Sequence, residues 1–585
     1  LVFLSSLGAC KQNNENKTLE ANKSFAALTE LYFQEGLKQN PFQATQIGDD
    51  RYNDLLPNNG SMAFLEDRKK FIQRFLDSLK HYNHASLSAN DQISYDVLKD
   101  ELEMNREGYK FHFEYLPFSQ INSFPLIFAQ FGTGTSAQPF KKVKDYDDWL
   151  KRVNAFSVWA DTAIGNFNLG MKAGIVFPQS VVVKMIPQMQ SMVVTDAKKS
   201  LFYGPIKLMP ASFSTADKER LTKEYQASIL TVIVPTFKKL ADFLQNEYLP
   251  KARTTSGLSS IPSGAEMYAY QVKKQTTTNR TPEDIYQTGL SEVARIRRAM
   301  DSIKNLIGFK ADLKSFFNYL NTDKKFMPYH TAKEVTDAFE NIHQRMQPNL
   351  IKVFENAPKT AFEIRQTEAF RAASAAAEYI EGSADGNRPG IFYVPILDAS
   401  KFNTTSGMES LFLHEAIPGH HYQISLTQEN ALLPKFRRYG GHNAYIEGWA
   451  LYSESLGFEL GLYKDPYQYF GALGDEIHRA IRLVVDVAIH TKNMSREEAI
   501  KYMMDNEPIS EQGATAEIER YMSHPGQALG YKVGAMKIRA LRTKYEKELG
   551  TKFNVAEFHT QVLKDGSLPL NVLEAKMDIW AASKK

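Results

Sequence analysis

From about Ser24 onward the apolar residues of this chain recur at helical spacing, and that regularity restricts the fold more than any other feature of the sequence. Phe25-Ala-Ala-Leu-Thr-Glu-Leu-Tyr-Phe and Phe71-Ile-Gln-Arg-Phe-Leu-Asp-Ser-Leu each put an apolar stripe on one face. Asp91 to Glu103 reads as a further helix with a charged face. Thr281-Pro-Glu-Asp284 is a helix start, with Thr as N-cap, Pro in the first helical position and acids at the positive end. Ser495-Arg-Glu-Glu498 has the form of a capping box. Against this background one segment, Ile391-Phe-Tyr-Val-Pro-Ile-Leu397, reads convincingly as a strand, and Pro395 predicts an edge position for it. The run Val181–Val183 fits a strand or a buried helix equally. Leu116 to Phe140, broken by Pro, Phe and Gly, is expected to be irregular. The expected fold is mainly α, with a small antiparallel sheet beside the chemistry.

At 585 residues the chain exceeds the ~250–300 at which a single core stops growing. The best internal boundary is 250–281, rich in Pro, Ser, Thr, Gly and Lys and without a sustained helical face. It divides the chain into an N-terminal helical lobe, 25–260, and a lobe of 261–585 that carries the chemistry. A hydrophobic fraction of 43% with 23% charged residues excludes a mainly disordered chain. A net charge of +3 gives no sign of a nucleic-acid partner. Oligomeric state cannot be read from the sequence.

The chain has one cysteine, which excludes an intramolecular disulfide. It follows Leu-Val-Phe-Leu-Ser-Ser-Leu-Gly-Ala and precedes the abruptly polar Lys-Gln-Asn-Asn-Glu-Asn-Lys. Residues 1–9 read as a signal-peptide remnant, and Leu7-Gly8-Ala9-Cys10 resembles the bacterial lipobox, in which the cysteine is diacylated. Residues 10–24 are then a lipidated Cys10 and a polar tether. The expectation is a lipid-anchored protein of the bacterial cell envelope, on the outer-membrane or periplasmic face, with the membrane as a partner through that anchor.

Seven of the 13 histidines lie between positions 414 and 524. The densest segment is His414-Glu415-Ala-Ile-Pro418-Gly419-His420-His421-Tyr-Gln. It begins as the zinc-peptidase signature His-Glu-x-x-His does, but two residues intervene. On a straight helix His414 and His420 are about 600° apart and face different ways, and His414 and His421 are about 10.5 Å apart along the axis. A bulge or kink at Pro418-Gly419 restores an approach of His414 and His420, and His421 stays a competing ligand. Catalytic zinc takes three protein ligands. Glu447, in the nearly all-apolar Ala444-Tyr-Ile-Glu-Gly-Trp-Ala-Leu-Tyr-Ser-Glu454, is the third candidate, the alternative being a pair with an arginine. Glu454 is a candidate hydrogen-bond partner for a ligand histidine.

Four motifs carry a resemblance: His-Glu-Ala-Ile-Pro-Gly-His-His-Tyr-Gln, Glu-Gly-Trp-Ala-Leu-Tyr-Ser-Glu, Arg482-Leu-Val-Val-Asp486-Val-Ala-Ile-His490, and Pro525-Gly-Gln527-Ala-Leu-Gly-Tyr531-Lys-Val-Gly. In this order they resemble the bacterial family called "domain of unknown function 885", over roughly residues 25–580. That family is similar to the gluzincin peptidases, among them angiotensin-converting enzyme, thimet oligopeptidase and the thermostable carboxypeptidases. The resemblance implies a two-lobed helical metallopeptidase-like body with a deep central channel and Zn2+ on its floor, held by His414, His420 and Glu447. His420 is chosen over His421 because Gly419-His420 lines up with the Gly-His ending the relatives' motif. Glu415 is then the general base. In the relatives a Tyr and a His donate hydrogen bonds to the oxyanion; Tyr531 is the first candidate here, with His490 or His524 second. Arg482, Gln527 and Tyr393 are candidate substrate contacts, though Arg482, Asp486 and His490, spaced by four, fit a structural ion-pair ladder equally well. The strand at Ile391–Leu397 could take up an extended peptide by strand addition.

The leading expectation is a zinc-dependent peptidase acting on short peptides. The alternatives are a metal-dependent hydrolase of another amide and a non-catalytic peptide-binding lipoprotein.

Overall fold

The computed structural model describes residues 5–368, 376–382, 388–405 and 407–585, with side chains from residue 22. The body is mainly helical. The elements used below are α1 (Ser5–Gln39), α2 (Ala89–Gly108), α3 (Gly264–Thr276), α4 (Pro282–Leu306), β1 (Phe362–Gln366), β2 (Glu378–Ile380), β3 (Gly390–Val394), α5 (Met408–Glu415), α6 (His420–Glu429), α7 (Asn443–Glu454), α8 (Pro466–Thr491), α9 (Glu511–Ser523) and α10 (Leu529–Leu549).

Local signals placed the helix starts well. Thr281 Oγ1 accepts from the Asp284 amide and Asp284 reaches back to the Thr281 amide, closing the box that opens α4. Ser495 and Glu498 do the same for Arg496–Asn506. Val181–Val183, which fit a strand or a buried helix, lie in a helix, Gln179–Gln190, whose buried face is Val181, Val182, Met185, Ile186 and Met189. Two other readings need correction. The expected irregular stretch contains a helix, Phe124–Phe131, which buries Phe128 and Phe131. The presumed boundary contains α3, which buries Met267, Tyr268, Tyr270 and Val272.

The sheet is small and mixed, not antiparallel, in the order β1-β3-β2. β3 pairs parallel with β1 and antiparallel with β2. The segment expected at an edge is therefore the central strand. Pro395 lies just beyond Val394, so its missing N–H falls outside the ladder. Among the described residues β1 and β2 are the two outer strands, and β2 is the one that lines the cavity described below.

The apolar interior forms two clusters, and each draws on both halves of the sequence. One joins Phe25–Leu102 to α3, β3, α5, α7, α10 and the C-terminal helices. The other joins Phe118–Ala252 to the outer face of α4, residues 313–326, and α8. The region near residue 260 thus does not divide the core. Helix α8 stands between the clusters, giving Leu483 and Val487 to the first and Ile477, Ile481, Val484, Val485 and Ile489 to the second. Among the described residues no helix is long and apolar enough to cross a membrane.

Candidate metal centre

The centre begins with a break between two helices. Helix α5 ends at Glu415 and α6 starts at His420, so the expected kink in one helix is a full interruption across Ala416–Gly419. A Cβ on Gly419 would lie 1.9 Å from the His414 carbonyl oxygen and 2.3 Å from that of Leu413. Only glycine lets the chain fold back so closely on the end of α5. Trp449 Nε1 of α7 donates to the Pro418 carbonyl at 2.7 Å and fixes the turn. The result sets the His414 and His420 rings 4.9 Å apart and nearly perpendicular.

Helix α7 crosses beneath this turn with its two carboxylates. Glu447 Oε2 lies 3.7 Å from His414 Nε2 and 3.4 Å from His420 Nε2. Two turns on, Glu454 Oε1 lies 2.7 Å from His414 Nδ1. Helix α7 packs on α10 through glycines: a Cβ on Gly448 would meet Gly534 Cα at 2.5 Å, and one on Gly534 would meet the Ala444 carbonyl at 1.8 Å. That close approach brings Tyr531 of α10 over His414, with the rings 6.4 Å apart and nearly parallel.

The electrostatics ask for positive charge. Burial opposes protonation of His414, but Glu447 and Glu454 on its two nitrogens outweigh burial and push its pKa up to about 10. Burial would raise Glu447, but the His414 and His420 imidazoles hold it well below the usual carboxylate range. Burial leaves Glu454 above its ordinary value, with Arg479 working against the rise. His414, His420 and Glu447 offer ligand atoms within 4.8 Å of one another. Two imidazoles, one carboxylate, and a second carboxylate on the far nitrogen of His414 form a donor set that fits zinc. His420 Nδ1 is buried without a partner.

A cavity of about 670 Å³ opens on these groups. Glu415 and Tyr531 line it, as do Glu378 and Tyr379 of β2. Burial, then the Glu447 charge, raises the Tyr531 pKa, so its phenol keeps its proton. Arg482 of α8 lines the same cavity; its guanidinium sits 4.7 Å from the centre of the Tyr531 ring and donates to Glu517 at 2.9 Å and to the Tyr521 hydroxyl at 3.0 Å.

Other expected site residues lie elsewhere. His421, though adjacent to His420, turns to the sheet, with Nδ1 3.0 Å from the Tyr379 hydroxyl and its ring against Phe362; burial lowers its pKa to about 4. His490 does not line the cavity. It is fully buried, Nδ1 accepts from the Leu258 amide, Nε2 lies 3.1 Å from the Tyr521 carbonyl, and the ring stacks on Tyr268. Asp486 likewise accepts from Tyr268 and the Gly526 amide. The three-residue ladder is therefore split: Arg482 faces the cavity, while Asp486 and His490 serve the interior. His524 is half-buried and outside the cavity lining. Gln527 sits behind the cavity wall, bonded to Arg520 and Asn443. Tyr393 lies in β3 opposite Arg365 and Glu378, away from the cavity lining. Cys10 lies outside the residues whose side chains are described. Sequence reasoning missed His478, Arg479, Glu507, Glu517 and Arg520, all in the cavity lining. His478 precedes Arg482 by one turn, and that spacing was the available signal.

The Colwellia psychrerythraea chain described as "the putative lipoprotein" is 28% identical, superposes with a TM-score of 0.86, and is matched over 96% of this chain and 100% of that one. A Shewanella oneidensis chain described as "a putative lipoprotein of unknown function" shares the fold at 19% identity and a TM-score of 0.74, over 94% of this chain and 99% of that one. No curated protein is detectably similar in sequence. Residues 41–577 match the family described as "Bacterial protein of unknown function (DUF885)", and the chain belongs to that family.

Proposed function

We propose that this protein is a zinc-dependent peptidase that hydrolyses short peptides at the bacterial cell envelope. The observation that carries the reading is the convergence of His414, His420 and Glu447 in a cavity that Glu415 and Tyr531 also line. Zinc held by those three residues supplies a Lewis acid for the scissile carbonyl and makes water a nucleophile at neutral pH. Glu415 accepts the proton of the attacking water and returns it to the leaving amine. Tyr531, kept protonated, donates a hydrogen bond to the oxyanion, and Arg482 against its ring holds the phenol in place. Glu454 fixes the ring of His414 through Nδ1. The outer strand β2, whose Glu378 and Tyr379 line the cavity, takes up the peptide main chain by strand addition, the role first expected of β3. Cys10 carries the lipid anchor, a reading that the lipoprotein descriptions of both neighbours support.

The test is a digest of a mixed-sequence peptide library read by mass spectrometry, with Glu415→Gln as control and metal content measured on both proteins. New termini produced by the parent alone are expected, with about one zinc per chain. A metal-replete parent that holds no transition metal, or a Glu415→Gln protein that cleaves as fast as the parent, rejects the mechanism. Separately, Cys10→Ser is expected to leave the membrane fraction; sedimentation with membranes at high salt rejects the anchor.

A further inference from the structure

A second cavity, of about 640 Å³, lies between α1, α2 and the end of α3 on one side and the start of α7 on the other. Its lining carries nine carboxamide side chains. Of these, Asn105, Gln275 and Asn279 have no hydrogen-bond partner among the described residues. Charge is mixed: Arg68, Lys273, Lys274 and Arg437 stand against Asp100 and Glu101, and Arg437 is taken up inside the fold by Asn90, Ser94 and the Asp565 carbonyl, so the lining is not a site of a single sign.

Two ties join it to the metal centre. Asn443 and Glu447 stand one turn apart on the same face of α7, the first lining the second cavity and the other the metal cavity. Gln527 spans the wall between them. Its Oε1 accepts from Arg520 Nη2, in the metal cavity, at 2.5 Å, and its Nε2 donates to Asn443 Oδ1 at 3.2 Å. One carboxamide thus bonds to a lining residue of each cavity.

We infer that the two cavities are halves of one binding path, and that the amide-lined half holds the flank of an extended peptide whose reacting bond lies at the metal ligands. This rests on the peptide reading of the site. Carboxamides suit that occupant because each offers a donor and an acceptor, the pairing a peptide main chain needs whatever its side chains. A glycan fits less well: sugar rings are held against open aromatic faces, and of the four Phe and Tyr rings in this lining Tyr32, Phe33 and Phe436 are each only 7% exposed, which leaves Phe64 alone half-buried. An extended chain advances about 3.3 Å per residue, so a tripeptide covers about 10 Å and cannot fill both halves, whereas a decapeptide can.

The test is binding to the full-length Glu415→Gln protein, which spares the ligand, using random-sequence pools of tripeptides and decapeptides in equilibrium dialysis. Asn279→Trp, at an exposed position, and Asn105→Trp, at a half-buried one, fill the second cavity without touching the metal ligands. The expected result is a tenfold or greater loss of decapeptide affinity in either variant, with tripeptide affinity within twofold of the parent and metal content unchanged. Equal effects on both pools, or none on either, overturn the inference, as does failure of the parent to bind either pool. Length-dependent binding without any turnover in the wild-type protein would sink the peptidase reading alone and leave the shared path standing.

Discussion

His414 and His490 occupy similar settings and come to opposite states. Both sit on apolar helices, 3% and 0% exposed. Both ring nitrogens of each face a neighbour, but at His414 the neighbours are carboxylates and at His490 they are a main-chain amide and a main-chain carbonyl. His414 is pushed up to about 10, and His490 is lowered by burial to about 3. Burial therefore does not distinguish the two. What sets His414 apart is negative charge gathered around the ring, and His420 lies within 3.4 Å of the same Glu447.

The sharpest way to break this contrast is at Glu415. Glu415→Gln keeps the shape and removes the proton acceptor, so peptide turnover should fall by about 10²–10⁴ while bound metal stays at the parental level. Loss of metal together with activity would make Glu415 a ligand instead. Next comes the pair of adjacent histidines. His420→Ala should bring metal from about one ion per chain to near none by atomic emission, whereas His421→Ala should keep it, because that ring faces Tyr379 and Phe362. The reverse outcome would exchange their roles.

On the other side of the comparison, His490→Ala leaves the Leu258 amide and the Tyr521 carbonyl without their partner in a space sealed from water. Denaturant unfolding should show a loss of about 3 kcal/mol with metal content intact. A variant of normal stability that no longer holds metal would contradict the assignment.

The smallest effect is one of pH, and the two histidines have opposite signs. His414 in metal-free protein has a raised folded pKa, so its contribution is complete below about 6.5 and is lost as pH climbs toward 10. His490 has a lowered folded pKa, so its contribution is complete above about 6.5 and is lost as pH falls toward 3. At pH 5 the His490 effect amounts to about 2 kcal/mol. The penalty for His490→Gln should therefore be smaller at pH 5 than at pH 7 by about that amount, measured as paired unfolding curves. A penalty that grows on acidification would mean that His490 is charged in the folded state.

Much of this was readable in the sequence where the determining forces are local. Caps at Thr281 and Ser495 depend on three following residues, and both formed as expected. The trio of His414, His420 and Glu447 stood out because ionisable groups in apolar helices demand a reason. The misreadings came from partners distant in sequence. β3 is central because β1 and β2 pair with it from both sides; β1 alternates apolar and polar over only Phe362–Arg365, and β2 is three residues long, too little pattern to be read as strands. His490 was taken for a site residue because the Leu258 amide and the Tyr521 carbonyl, 232 and 31 residues away, leave no trace in its own motif. Helix α3 was overlooked because its buried face is built from tyrosines and a methionine among lysines.

The contact of Gly448 with Gly534 has a mechanical consequence. Two backbones that touch, with no side chain between them, lack the compliant layer through which packed helices slide. Glu447 and Glu454 on one helix and Tyr531 on the other are thereby locked into a common frame, and the turn at Pro418 is pinned to the same frame through Trp449. The phenol of Tyr531 therefore does not approach His414 and Glu447 by one helix moving past the other. In the proposed peptidase, whatever closes on a bound peptide approaches from outside this block, on the side where Glu378 and Tyr379 of β2 line the cavity.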